Sequence, residues 1–276
     1  MKTWSFAKGH GTRNDFVILF DGYGTLDVTP EIVRYLCDRR SGIGADGVLR
    51  VVKASAIAGS DVDPDLWFMD YRNADGSIAE MCGNGLRVFA RYLDDEGLVD
   101  EPDLVIATRA GLRTAHLCDD GRVTVGMGTV TTGATTSARI EGHLYEGVAV
   151  DVGNPHLVSV VPTLGDVMDA DLTGTVDADT AVFPQGVNVE VVHVVAADHA
   201  VMRVLERGVG ETQACGTGAV AVARVVSGTG PATTRVDLPG GSVEVRFARD
   251  GTATLTGPAV IVARGDVTIP DHLVAH

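Results

Sequence analysis

The chain has 276 residues, 45 % of them hydrophobic, and its 37 acidic side chains outnumber 22 basic ones for a formal net charge of −15. That balance suits a folded chain with a sizeable core and disfavours nucleic acid or an anionic membrane as partner, since both are bound through basic surface. No apolar run reaches signal-peptide length near the N-terminus or the roughly 18 residues of a membrane span, so a cytoplasmic location is expected. In that compartment four cysteines with no Cys-x-x-Cys pair argue against a disulfide framework and a structural zinc site.

In chain order, a β-branched run at 16–20 predicts the first strand. Thr29-Pro30-Glu31 then supplies an N-cap, a proline at the first helical position and an early acid, predicting a helix to about residue 40 before Gly42. Runs at 48–52 and 66–70 predict strands. A second helix opens at Cys82 or Gly83, carries Leu86, Phe89, Ala90 and Leu93 on one face and stops at Gly97. Strands follow at 104–108, 112–117 and 123–127, with Asp120-Gly121 as a hairpin signal between the last two. The small polar stretch 129–137 separates the halves, so a domain boundary is expected near it.

The second half continues with strands at 147–152, 157–161, 187–195 and 201–205. A helix over 216–227 follows; it is apolar on every face, must therefore be buried, and ends at Gly228. Runs at 234–238, 243–247, 253–256 and 260–263 complete the strands, with Asp250-Gly251 as a second hairpin signal. Many antiparallel strands around one buried helix per half describe an α+β fold, not a βαβ one.

The two buried helices open alike. Glu80-Met81-Cys82-Gly83-Asn84-Gly85 and Gln213-Ala214-Cys215-Gly216-Thr217-Gly218 share a Cys-Gly-x-Gly frame, and the stretches align without gaps to Arg91 and Arg224. Glycines after the cysteine let a ligand approach backbone N–H groups. At a helix N-terminus those N–H groups can bind a carboxylate, and the same end stabilises a thiolate. Each frame thus offers a base and a carboxylate cradle.

Two such frames suit inversion at a carbon beside a carboxylate, which needs a base on one face and an acid on the other. Two helix ends would also stabilise the charge that spreads into that carboxylate. The pair would share one proton, each thiolate holding the other thiol neutral. Cys37 and Cys118, within an ordinary helix and a strand, are expected only to pack.

The chain resembles the diaminopimelate epimerase family from end to end. The motifs that carry the resemblance are Gly11-Thr12-Arg13-Asn14-Asp15-Phe16; Arg72-Asn73-Ala74-Asp75-Gly76-Ser77 with the first cysteine frame; Gly153-Asn154-Pro155-His156; Val187-Asn188-Val189; and Glu206-Arg207-Gly208-Val209-Gly210-Glu211-Thr212 with the second frame. The resemblance implies interconversion of LL- and meso-2,6-diaminoheptanedioate, a small-molecule substrate, with no cofactor, pyridoxal phosphate or metal.

Residue by residue, Cys82 and Cys215 match the family's acid/base pair, and His156 and Glu206 match the residues held to assist them. Gly83, Asn84, Gly216 and Thr217 match its carboxylate cradle. Asn14, Asn73, Asn154, Asn188, Glu206 and Arg207 match substrate-binding positions. Arg207 suits the distal carboxylate, as a bidentate partner, while Glu206 and the asparagine carbonyls can accept from an ammonium. Many members have glutamine where Gly47 stands, so that contact is not carried over.

The resemblance further implies two pseudo-symmetric domains, each a barrel-like, mostly antiparallel β wrap around a central helix. Residues 1–128 form one and 129–263 the other, with a last strand over about 264–276 returning to the first. A homodimer is expected on the same ground. Two other readings compete. One is a proline racemase or hydroxyproline epimerase, which tends to have histidine at the position of Asn84 and needs no distal zwitterion reader. The other is a redox sensor using Cys82 and Cys215 as a switchable disulfide, a reaction to which paired low-pKa thiols are prone.

Overall fold

The computed structural model describes residues 2–274, and the chain divides into two compact units, Met1–Val125 with Pro258–His276, and Gly126–Gly257. In the first unit β1 (Lys2–Gly11) and β2 (Asn14–Phe20) form a hairpin closed by Thr12 and Arg13, at φ 50° and 63°. Both turn residues lie in the left-handed region, as a two-residue hairpin loop of the I′ kind requires. A β-branched threonine is strained there, so surrounding structure must hold it. Thr12 is buried and meets the Arg87 guanidinium.

From β2, α1 (Pro30–Cys37) leads to β3 (Gly47–Lys53), which lies parallel to β2. Thr29 caps α1 through the Ile32 N–H as expected, but the helix ends at Cys37, short of residue 40. Asp38 is the reason: its backbone turns extended and its carboxylate accepts from the Arg40 and Ser41 N–H groups, a local alternative to another helical turn. β4 (Trp67–Asn73) pairs antiparallel with β3. Then α2 (Gly83–Asp95) crosses to β5 (Asp103–Thr108), parallel to β4, and β6 (Gly111–Leu117) turns at Asp120-Gly121 into β7 (Arg122–Thr129).

The second unit contains β8 (Thr131–Ile140), β9 (His143–Asp151), β10 (Pro155–Val160), α3 (Leu164–Met168), β11 (Val176–Ala178) and β12 (Asn188–Ala196). It continues through β13 (His199–Glu206), β14 (Gly210–Thr212), α4 (Gly216–Ser227), β15 (Ala232–Leu238), β16 (Gly241–Phe247) and β17 (Thr252–Pro258). β18 (Val260–Ile269) belongs to the first unit and runs antiparallel to β1.

Most ladders are antiparallel, and the fold is α+β. The parallel pairs are β2–β3, β4–β5, β10–β12 and β13–β15, each joined by a connection that carries a helix. Sequence runs announce strands but not their partners, so these crossovers were not legible. α2 packs against β1, β2, β3, β4, β6 and β18, whereas α4 packs against β9, β10, β12, β13, β15 and β16. Each unit is thus a β wrap around a central helix.

Four strands escaped the hydrophobic pattern: β1, β8 and the three-residue β11 and β14. β1 buries Trp4, Ala7, Gly9 and Gly11, mostly small residues that leave no apolar run. The polar stretch read as a separator is largely β8, which exposes most of its first residues and is held by backbone pairing with β9. Threonine suits extended backbone whichever face it shows.

The first unit also buries a charged cluster. Arg50 lies 2.6 Å from Asp21, and Asp70 pairs with Arg50, Arg72 and Arg109 at 3.4, 3.3 and 2.7 Å. Burial alone would raise both carboxyls, but Arg50 and the Leu26 and Thr25 N–H groups for Asp21, and Arg72 and Arg109 for Asp70, hold them below the usual range. A lowered folded-state pKa adds stability above the unfolded value of about 4, lost as pH falls through it. Thermal melts are therefore expected to be flat from pH 7 to 5 and to fall steeply below pH 4. The gap between the parent and Asp70→Asn should shrink over that same acid range; a gap independent of pH would refute this account.

Candidate active site

Cys82 is the N-cap of α2, and its Sγ accepts from the Gly85 N–H at 3.4 Å, while its carbonyl starts the helical ladder at Leu86 N. The Gly83 and Asn84 N–H groups precede that ladder and sit at the positive end of the helix dipole. The Cys82 thiol reaches Asn14 Oδ1 at 3.7 Å, and Asn84 Nδ2 donates to the same oxygen at 3.2 Å. Asn14 in turn donates to Asp46 Oδ2 at 2.8 Å, which ties the β1–β2 hairpin to the start of β3. The three polar residues from distant motifs are thus one cluster.

Beneath this cluster lies Arg87, fully buried one turn into α2. Its guanidinium donates to Asn84 Oδ1 at 2.9 Å, Thr12 Oγ1 at 3.2 Å, Pro258 O at 3.3 Å and Gly83 O at 3.5 Å. Burial pulls its pKa down to about 10, with Cys82 acting in the opposite sense, so it stays charged at neutral pH. Sequence reading passed over Arg87 because an arginine in a helix ordinarily faces water. Its place in the run Leu86-Arg87-Val88-Phe89, on the way to the core face, was the available signal.

Cys215 repeats the arrangement on α4: N-cap position, Sγ accepting from the Gly218 N–H at 3.4 Å, carbonyl accepting from Ala219 N. Its surroundings differ. Thr217 Oγ1 lies 3.5 Å from Sγ and accepts from Asn154 Nδ2 at 3.3 Å. Asn154 Oδ1 faces His156 Nε2 at 3.0 Å, and His156 Nδ1 lies 2.6 Å from Glu190 Oε1. Asn188 donates to Pro155 O and accepts from the Arg207 N–H, fixing the turn after β13. Glu206 accepts from Thr212 Oγ1 at 2.5 Å, and its charge bears on the Cys215 thiol.

Burial pushes the Cys215 thiol well above its usual range, and the Glu206 and Glu190 carboxylates add to that, against Thr217 and the Gly218 N–H. Burial likewise raises the Glu206 carboxyl, opposed by Thr212 and Cys215. For this cysteine, desolvation and two acids outweigh the helix end that the sequence pattern led us to expect would lower the thiol.

Asn73 is not joined to the Cys82 cluster; its side chain donates to Ser77 Oγ at 3.0 Å. His156 is fully buried and meets Asn154 and Glu190 rather than a thiol. Arg207 is exposed, and its guanidinium touches Gln185 O at 2.8 Å. Glu190 was missed, though a single acid inside the apolar run Val187-Asn188-Val189-Glu190-Val191-Val192 is itself a signal. At Gly47 a Cβ would stand 2.6 Å from Arg72 O and 2.7 Å from Tyr71 Cε2, with the Tyr71 hydroxyl at 3.5 Å. Tyr71 therefore occupies the space beside Gly47 that a side chain there would need.

The family model described as diaminopimelate epimerase matches residues 6–133 and 148–262. A diaminopimelate epimerase of Corynebacterium glutamicum is 52 % identical over 97 % of this chain and 99 % of its own. One from Thermobifida fusca is 49 % identical over 96 % of this chain and 98 % of its own. Among solved structures, a PhzF-family phenazine biosynthesis protein of Bacillus anthracis shares the fold at TM-score 0.72 and 16 % identity, covering 98 % of this chain and all of that one. A probable proline racemase of Agrobacterium radiobacter does so at TM-score 0.64 and 14 % identity, over 97 % and 93 % of the two chains. Those two likenesses speak for the fold alone, and they leave the racemase reading without support at the level of sequence. With matching that runs through both cysteine frames, the chain belongs to the diaminopimelate epimerase family.

Proposed function

We propose that the chain epimerises LL-2,6-diaminoheptanedioate to the meso form by a two-base reaction, as a cytoplasmic homodimer serving lysine and peptidoglycan precursor synthesis. The observation that carries the reading is that both cysteines cap a helix in the same geometry, Sγ 3.4 Å from the N–H three residues on. The dimer and the absence of a cofactor rest on family resemblance.

In this reading one cysteine thiolate takes the α-proton and becomes a thiol. The electron pair left behind spreads into the reacting carboxylate, which the Gly83–Asn84 and Gly216–Thr217 N–H groups stabilise. The other thiol gives its proton to the opposite face and is left as thiolate. Protons balance, and the two cysteines have exchanged states. Asn14, Asn73, Asn154 and Asn188 supply donors and acceptors to the substrate, and Arg207 takes the distal carboxylate. Glu206 accepts from the ammonium or assists Cys215, on whose thiol its charge bears.

Turnover of LL-substrate in D₂O, followed by proton NMR, is expected to place deuterium at the inverted α-carbon. The competing racemase reading is tested alongside with L-proline, which should not react. Inversion that retains the original α-hydrogen would sink the two-base reading.

A further inference from the structure

The two cysteine frames stand on different floors. In the first unit a Cβ at Gly85 would meet Leu49 Cδ2 at 3.3 Å and Phe16 Cζ at 3.5 Å, so the first turn of α2 rests on apolar side chains. In the second unit a Cβ at Gly218 would meet Glu190 Oε1 at 2.7 Å, so the first turn of α4 rests on a carboxylate. The registers correspond. Phe16 is paired with Gly47 across β2–β3, two residues before Leu49, and His156 is paired with Asn188 across β10–β12, two residues before Glu190. A Phe–Leu pair under one thiol is replaced by a His–Glu pair under the other.

Resting on the epimerase reading, we propose that Glu190 is a positioning residue that keeps Cys215 a thiol, the proton donor, in the resting enzyme. Its carboxylate lies under the positive end of α4, where it offsets the field that would otherwise favour a thiolate. It also anchors His156, whose second ring nitrogen orients Asn154 and, through it, Thr217 beside the thiol. Glu190 Oε2 is buried and, among the described residues, has no hydrogen-bond partner. A desolvated carboxylate so close to the thiol has a long electrostatic reach. Beneath Cys82 lies the fully buried Arg87 guanidinium, a charge of the opposite sign, and Cys82 accordingly takes the role of base.

The groups that face Glu190 are His156 on β10, Glu206 on β13 and Cys215 at the head of α4. Thr212 on β14 and Thr217 on α4 contribute neutral hydroxyls to the same surroundings. Arg203 on β13 is paired with Glu211, and the Arg207 guanidinium is turned to Gln185 O.

The test titrates the ultraviolet absorbance of the thiolate in full-length Cys82→Ala and in Cys82→Ala/Glu190→Gln. Since Cys37 and Cys118 are common to both, their difference reads Cys215. The midpoint is expected to fall by about one unit or more when the carboxylate is neutralised. In the enzyme with both cysteines, E190Q should move the alkaline limb of the kcat/KM profile down by a similar amount. Should Glu190→Gln not fold, Glu190→Ala is titrated in its place, and the same fall is expected. An unmoved midpoint, or activity lowered equally at every pH, overturns the role of Glu190. The titration uses no substrate, so a parent enzyme that fails to turn over diaminopimelate overturns the epimerase reading separately.

Discussion

Cys82→Ala and Cys215→Ala are each expected to lower epimerisation at least about a hundredfold, because a positioned acid or base contributes on the order of 10² to 10⁴. In the proposed two-base reaction neither loss can be made up by the other cysteine, because each performs a different proton transfer. The variants should fold. Each loses one Sγ cap, to Gly85 N or to Gly218 N, a contribution of about 1 kcal/mol. A coupled assay for the meso product gives the rate and a thermal melt the stability. Wash-in of deuterium without inversion is the further signature expected of a site with one base removed. Inversion above a few per cent of the parent rate in either variant would count against two-base chemistry.

Arg87→Ala is expected to be the most destabilising single change in the first unit, by about 3–5 kcal/mol, through the cavity it leaves and the buried acceptors it strips. The substitution empties a fully buried volume and strips donors from Asn84 Oδ1, Thr12 Oγ1, Gly83 O and Pro258 O together. It also removes what braces the positive-φ turn at Thr12 and Arg13. A drop in Tm of about 10 °C follows from that range for a unit of this size. Arg87→Met fills most of the volume without donors, so comparing the two separates cavity from hydrogen bonding. If both variants melt with the parent, Arg87 does not organise the Asn14–Asn84 cluster.

The site was legible where function repeats itself. Two Cys-Gly-x-Gly frames at helix starts are local in sequence, and the N-cap geometry they imply is local in space, so Cys82, Gly83, Asn84, Cys215, Gly216 and Thr217 could be read without a fold. The family motifs added Asn14, Asn154, His156 and Glu206, whose contacts in the structure are with those frames or with one another. Arg87 and Glu190 escaped because each contradicts what its residue type usually does, and only long-range packing offsets the cost of burying them. The hairpin between β1 and β2 escaped for a related reason. Thr12-Arg13 is not a turn signal, and its backbone is held by a contact that comes from residue 87.

Residue type and spacings within a few residues were enough to read two thiols at two helix starts. The larger part of the difference between the two thiols comes from long-range packing. That part arises from β2 and β3 beneath one helix and β10 and β12 beneath the other, strands far from either cysteine in the chain. An electrostatic environment is a sum over neighbours in space, and pairing register is what selects those neighbours.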